Sequence, residues 1–581
     1  MALIDKASLL MVPSTYEAGK LYNVLPSGNR APDNKGGAGY DQTRADFDFD
    51  RGSNAAATRI NSSGLIEKYR ENLLLQSNQF ENAAWGKSSA TFSGDTLTAG
   101  AGTAFKGISQ NEATQGVQNI SFDVAYIDHQ WVQILFGTSG SDVGYANFDI
   151  QNKVIGNYAG MIDVKIQDFS TYVRISVAIN ASAKTSVYLI FVDSGTRSRA
   201  ASSSSTGSFK LFRSQVETGL VATEYLNSTS VTAKAGVLID LPRINYDANG
   251  ENGALLLEPS RANIITNSEY LGGSDWIKSG NGASSVPVIT SNAAISPEGV
   301  QNATRVDLDL NGGTSSGDWS WVYQNFTSTG NDETFSMYIK AVDASNVGKV
   351  IAFGAVSFTA QSLTADWVRI ESTSSAAVGG YGNGFRLRGT EGTSDTASFY
   401  VFGIQHEQNA TYPTSYIPTM GTAQTRAADS CSVTGVGDIL NDSEGTLFVE
   451  MSALANDQTS RRLSISDGTN NNRVMIGYST GSNAVQFVLS DGGAVVVNSA
   501  HTLSDIKETA KIAFKYKLND CEMYINGARV ILDTTATMPS GLDVLGFYQG
   551  TTNENLFANV KQLAVFNEAL SDSELATLTT L

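Results

Sequence analysis

The feature that most restricts how this chain can fold is an internal duplication. Asn72-Leu73-Leu74, Ser77, Trp85 and Lys87 reappear as Asn263-Ile264-Ile265, Ser268, Trp276 and Lys278, each pair 191 residues apart. Further on, Phe209, Phe212, Gln215 and Glu217 reappear as Phe399, Phe402, Gln405 and Glu407 at a spacing of 190. Thr223 and Tyr225 then reappear as Thr414 and Tyr416 at 191. Between these ends, Tyr172-Val173-Arg174-Ile175 answers Trp367-Val368-Arg369-Ile370 at 195. A spacing that drifts by only a few residues defines two homologous domains that differ by small loop insertions.

What each copy folds into follows from local pattern. Ile120-Ser121-Phe122-Asp123-Val124-Ala125-Tyr126 and Phe335-Ser336-Met337-Tyr338-Ile339-Lys340 alternate apolar and polar side chains, the period of a half-buried antiparallel strand. The chain has 55 Gly and only 17% charged residues, with abundant Ser, Thr and Asn, which suits short strands joined by turns. About eight strands per copy predict a jelly-roll sandwich. Trp85 and Trp276 stand at matched points and are expected to plug the two cores.

At 581 residues, and with a prior of roughly 150 residues per domain, about four units are expected. The boundaries read as a leader over 1–70, first repeat over 71–229, linker over 230–262, second repeat over 263–420, linker over 421–444 and a third sandwich over 445–581. Phe47-Asp48-Phe49-Asp50 predicts one strand of the leader with an aromatic face. The leader is too poor in apolar residues for its own core, so it is expected to be ordered by a neighbouring domain, a sister chain or a larger assembly. In the third unit, Asn526-Gly527 between apolar runs predicts a tight hairpin, because both residues tolerate positive φ. Ser571-Asp572-Ser573-Glu574 is a capping box opening a short terminal helix. The fold class is all-β: tandem jelly rolls, then a compact sandwich.

Composition also excludes functions. A net charge of −18 with no Lys/Arg block disfavours nucleic acid. No apolar run reaches the length of a membrane span, and residues 1–12 make a poor signal peptide, so synthesis in a cytoplasm is expected. Cys431 and Cys521 are expected to remain reduced.

Retaining and inverting glycosidases place two carboxylates about 5 to 10 Å apart. No Glu-x-Asp-x-Glu string occurs, and Glu67 and Glu71 read as a solvated pair, so no catalytic residues are assigned. His129, His406 and His501 fall in three domains without metal-ligand spacing or triad partners. Asp307, Asp309, Asn311 and Asp318, with Gly312 at the turn, have the oxygen spacing of a Ca²⁺-wrapping loop. Val306, Leu308 and Leu310 alternate with these acids, however, which favours a strand with a wet polar face running into a Gly-rich turn. No cofactor is required on this reading. Trp319, Trp321 and Tyr323 alternate on one strand and so share a face. That face is either core or a platform on which sugars stack, and the apolar period favours core.

A family resemblance enters through Phe49, Arg51 to Asn61, Gly64-Leu65-Ile66-Glu67 and Leu255 to Asn263, which resemble segments of bacteriophage tail-fibre and virion-appendage proteins. The two repeats look like the carbohydrate-binding-module-like jelly rolls of that family. The last unit, with Asn526-Gly527 and Val560 to Ser571, is similar to concanavalin-A-like, laminin-G-like domains. The resemblance implies a virion protein, made in the host bacterial cytoplasm, that contacts other virion proteins through its leader. It also implies attachment to a host surface glycan by multivalent binding, as a homo-oligomer that is a trimer by analogy. The rival readings are a capsid head fibre or decoration without a receptor, and a polysaccharide-degrading enzyme.

Overall fold

A computed structural model describes residues 3–15, 22–24, 47–52, 56–112, 115–138, 141–181, 185–199, 202–551 and 553–581. Most of the Gly- and Asn-rich leader, and Ser53, Asn54 and Ala55 of the family-like segment, lie outside these residues. The chain is all-β and forms two compact units, one drawn from 1–67, 237–261 and 426–581 and the other from 68–236 and 262–425.

The second unit holds the duplication as two sandwiches. In the first, one sheet runs in the order 154–159, 141–149, 131–138, 185–191, 107–112, 86–88, and the other runs 163–168, 173–181, 116–126, 208–218, 96–99, 90–93. In the second, the sheets run 358–362, 350–354, 379–388, 319–328, 277–281 and 368–375, 332–341, 396–408, 303–309, 288–294. The two orders match strand for strand once Val154–Ala159 and Asp163–Asp168 are set aside as extra edge strands of the first copy. Trp85 and Trp276 are buried in the two cores.

The repeated polar letters form a clasp that ties each sandwich's first residues to its last. Asn263 Nδ2 donates to the Ile404 and Ile417 carbonyls at 3.0 and 2.9 Å, and its Oδ1 accepts from the Ile265 and His406 amides at 3.1 and 3.0 Å. Asn72 repeats this with Ser214, Leu226, Leu74 and Val216 at 3.1, 2.8, 3.2 and 3.2 Å. Ser77 meets the Tyr225 hydroxyl at 2.6 Å, and Ser268 meets that of Tyr416 at 2.5 Å. The Trp85 and Trp276 indoles donate to the carbonyls of Gln76 and Asn267. Buried Glu217 accepts from the amide and hydroxyl of Thr223, and Glu407 does the same for Thr414. Arg174 and Arg369 reach those same threonine carbonyls. A buried polar group must find a partner, and here most of the partners are backbone groups that would otherwise be orphaned.

The first unit is a sandwich completed by chain segments far apart in sequence. The strand Ala558–Phe566 receives Glu444–Ala453 along one edge. Its other edge is shared, with Leu9–Met11 pairing against Leu563 to Val565 and Ala254–Leu257 against Ala558 to Val560. On the opposite sheet Asp48–Asp50 pairs with Ser430–Thr434, turning Phe47 and Phe49 into the core beside Leu463, Phe487 and Phe514. Stretches expected as leader and linker therefore supply strands and core side chains of this sandwich.

Three arginines of this unit meet in its interior. Arg243 is ion-paired with Glu258 at 2.7 Å and with Asp429; Arg426 reaches Glu258 at 2.9 Å, and Arg51 lies 3.6 Å from Asp429. Burial lowers the Arg51 guanidinium to about 10, with Asp429 opposing and the neighbouring arginines assisting. Asn526 and Gly527 both adopt positive φ at the hairpin tip, and the capping box opens the helix Asp572–Thr579. Cys431 and Cys521 are both buried. No helix among the described residues is long and apolar enough to cross a membrane.

Candidate functional site

The strand Trp319–Ser328 lies between Ile277–Asn281 and Gly379–Arg388 in its sheet, and one parity of its side chains enters the core while the other lies on the outer face. Ser320, Val322 and Gln324 take the buried parity, with Val322 packed into the hydrophobic core. Trp319, Trp321 and Tyr323 are therefore half-buried on the outer face, not in the core that the apolar period favoured. Burial of Val322 and of the adjoining Phe385 and Leu387 fixes the choice, because a strand cannot turn both parities inward.

On this face the Trp321 and Tyr323 rings stack at 3.9 Å and 22°. Phe358, from an edge strand, meets Trp321 edge-on at 5.8 Å and 80°. Arg386, directly opposite Trp321 in the ladder, spreads its guanidinium 3.7 Å from the Phe358 ring centre and 5.1 Å from that of Trp321, a cation–π arrangement. Glu391 holds that guanidinium by an ion pair and also reaches Arg388 at 3.3 Å. The Trp321 Nε1–H is buried without a hydrogen-bond partner. Gly382 makes room for the rings, since a Cβ there would sit 2.8 Å from Trp321. The result is a half-buried aromatic cluster around a fixed planar cation, in which Trp321 and Tyr323 cover one face of each other and leave their remaining faces and edges to meet a ligand.

The equivalent face of the first copy is closed. Its connection from Phe191 to Ser208 is longer than that from Arg388 to Thr396 in the second copy, and its stretch from Gly195 to Ser198 lies against the sheet. Gly195 presses on the Trp131 ring, which shares a small apolar cluster with Phe105, Tyr188, Ile190 and Val192. Buried Asn147 donates to the carbonyls of Gly195 and Arg197 at 3.1 and 2.6 Å, and Gln133 donates to that of Ser198 at 3.3 Å. One copy thus plugs the surface that the other leaves open.

The cation candidates are placed apart from this face. Asp307 accepts from Arg305 and from Ser398, and Asp309 accepts from the Asn311 amide. Asn311, at positive φ, donates to the Ala283 carbonyl. Asp318 accepts from the Ala283 and Ser315 amides, bonds that bring its carboxyl down to about 2. Among the described residues no group of three or more His, Cys, Asp or Glu is arranged to hold a metal ion. His129 is buried between the Thr206 and Trp131 carbonyls. His406 is fully buried between Asn383 and Glu333, each at 2.8 Å. Glu67 is paired with Arg59, and Glu71 with the Tyr69 hydroxyl.

Sequence reasoning named Trp319, Trp321 and Tyr323 but missed Phe358, Arg386 and Glu391. The glycines at 380, 382 and 384 were a usable signal, because alternate glycines clear one face of a strand for large neighbours.

No family model and no curated protein matches the chain. Among solved structures it is similar to the NanB sialidase from Streptococcus pneumoniae, with 17% identity, TM-score 0.23 and 26% of each chain covered. The chain therefore spans about a quarter of the length of that enzyme. It is also similar to the tandem CBM22-1-CBM22-2 domains of Paenibacillus barcinonensis Xyn10C, with 11% identity and TM-score 0.19, over 62% of this chain and 99% of that one. Mouse laminin α1 domains LG4-5 match with 8% identity and TM-score 0.18, over 51% of this chain and 94% of that one.

Proposed function

We propose that this chain binds carbohydrate on the outer face of its second repeat, with Trp321 and Tyr323 as the stacking platform and Arg386 gripping hydroxyl or carboxylate groups beside it. The observation that carries this reading is the contrast between copies: the first covers the face with its own loop, whereas the second leaves a preorganised aromatic–guanidinium cluster half-buried and partly accessible. A sugar face laid on one ring hides roughly 50 Å² of apolar surface, about 1.3 kcal/mol, so a single site is weak. Display of several copies converts weak sites into firm attachment. The resemblance of the segments around Arg51 and Leu255 supports placing that display on a phage virion, as a tail fibre or appendage meeting host surface glycans. A head fibre without a receptor is the alternative. Hydrolysis is disfavoured because Glu391, beside the platform, is committed to Arg386 and Arg388, which suits orientation and not proton transfer. The test is a glycan array probed with the full chain and with a Trp321→Ala, Tyr323→Ala double variant. Binding to a defined glycan class that the variant loses supports the proposal; equal binding by both overturns it.

A further inference from the structure

A second cluster in the duplicated unit has the composition of a self-crosslinking site. Lys68 Nζ lies 2.9 and 3.2 Å from the two carboxylate oxygens of Glu269 and 2.7 Å from Glu298 Oε2. Asn302 Nδ2 contacts the same two carboxylates, at 3.2 Å from Glu269 and 2.9 Å from Glu298. Asn302 is 2% exposed, and its Oδ1 is buried with no hydrogen-bond partner. An orphaned carbonyl in that setting is costly. The Phe402 ring lies 5.8 Å from the ammonium, and the Tyr416 hydroxyl donates to Glu269 at 2.8 Å, so aromatic groups flank the cluster and leave Lys68 and Glu298 only slightly exposed. Lys68, at the end of the strand Ile66–Lys68 just before the first repeat, supplies the amine, and the second repeat supplies the carboxamide and both acids.

We infer that Lys68 and Asn302 join in an intramolecular isopeptide bond, with Glu269 and Glu298 moving the protons. In the neutral form the Lys68 amine attacks Cγ of Asn302, and a carboxylate takes the proton that the nitrogen sheds. The same carboxyl returns it to Nδ2, the Cγ–Nδ2 bond breaks and ammonia leaves, giving a secondary amide between Nζ and Cγ. Atoms balance with no oxidant or co-reactant, because the acids act as a proton relay. Burial alone would lower the Lys68 ammonium, but Glu269 and Glu298 hold it above its usual range, so the reactive amine is a minor form and the bond forms slowly after folding. Burial, opposed by Lys68 and reinforced by Glu298, raises Glu269 and makes it a competent proton carrier. The product covalently ties the segment that leads into the first repeat to the second sandwich, which suits an attachment protein that must bear load.

The experiment is intact-mass measurement of the full chain under denaturing conditions, fresh and after prolonged incubation in the folded state. The expected result is a mass about 17 Da below that of the sequence, from loss of ammonia, with a branched tryptic peptide containing Lys68 and Asn302. Lys68→Arg and Asn302→Ala are each expected to restore the full mass. Full mass in folded wild-type protein after incubation overturns the inference. A loss of about 18 Da also overturns it, because that is water leaving a Lys–Glu condensation. Since the decisive reading is made on wild-type protein, a variant that fails to fold does not obscure the answer.

Discussion

Replacing Asn263 with Ala tests whether the duplicated letters hold each sandwich shut. The Asn263 side chain is fully buried and makes four hydrogen bonds to backbone, at 2.9 to 3.1 Å. Each such bond contributes about 0.5–1.5 kcal/mol net, and a buried group left without a partner costs more, so the loss is about 4 kcal/mol. Asn72→Ala removes the same four bonds from the first copy, where they are 2.8 to 3.2 Å long, and is expected to cost as much or slightly less. Asn263→Asp is the sharper control. It keeps the two accepted bonds but sets a carboxylate oxygen against the Ile404 and Ile417 carbonyls, so it is expected to be at least as damaging as Ala. Urea unfolding followed by tryptophan fluorescence reads all three variants as a lowered midpoint of the duplicated unit. A cost under about 1 kcal/mol for both alanine variants, or a tolerated Asn263→Asp, would refute the clasp.

Two further perturbations probe the covered face and the Gly-rich turn. Gly195→Ala places a Cβ inside the Trp131 ring, so the covering loop must lift; the expected result is a cost of about 1–3 kcal/mol and faster quenching of Trp131 fluorescence by acrylamide, and wild-type quenching would show that the loop is not a plug. Asp318 has a folded pKa of about 2 against an ordinary 3.8, with the Ala283 amide the largest cause and the Ser315 hydroxyl and amide next, so its contribution is present above pH 3.8 and fades as pH falls toward 2. Carboxyl NMR titration is expected to report a midpoint near 2 with a parallel shift of the Ala283 amide, and a midpoint near 3.8 would contradict the assigned bonds.

Much of this architecture was legible in the sequence because it rests on local chemistry. The Asn-Gly hairpin at 526–527, the Ser571–Glu574 capping box and the alternating Phe47 and Phe49 each carry a signal within a few residues, and the fold uses all three as expected. The duplication was legible because a clasp made of Asn, Trp, Glu, Thr and Tyr tolerates no substitution that leaves backbone groups unpaired. The completion of the first unit was not legible. Leu9–Met11 and Ala254–Leu257 are short apolar runs whose partner, Ala558–Phe566, lies hundreds of residues away, and a run of three or four residues does not specify its partner. The platform was half legible: alternation places Trp319, Trp321 and Tyr323 on one face, but which face turns outward depends on Val322, Phe385 and Leu387 filling the core together. The Lys68, Glu269, Glu298 and Asn302 cluster has no sequence signature, since the two sandwiches must be in place before its members meet.

The most direct test of the binding account is calorimetric titration of a glycan identified on the array into the full wild-type chain and into Trp321→Ala, with urea unfolding as a check on folding. The account predicts that the variant unfolds like wild type while its affinity falls about tenfold, the equivalent of about 1.4 kcal/mol of lost stacking. Unchanged affinity in a folded Trp321→Ala variant would contradict it.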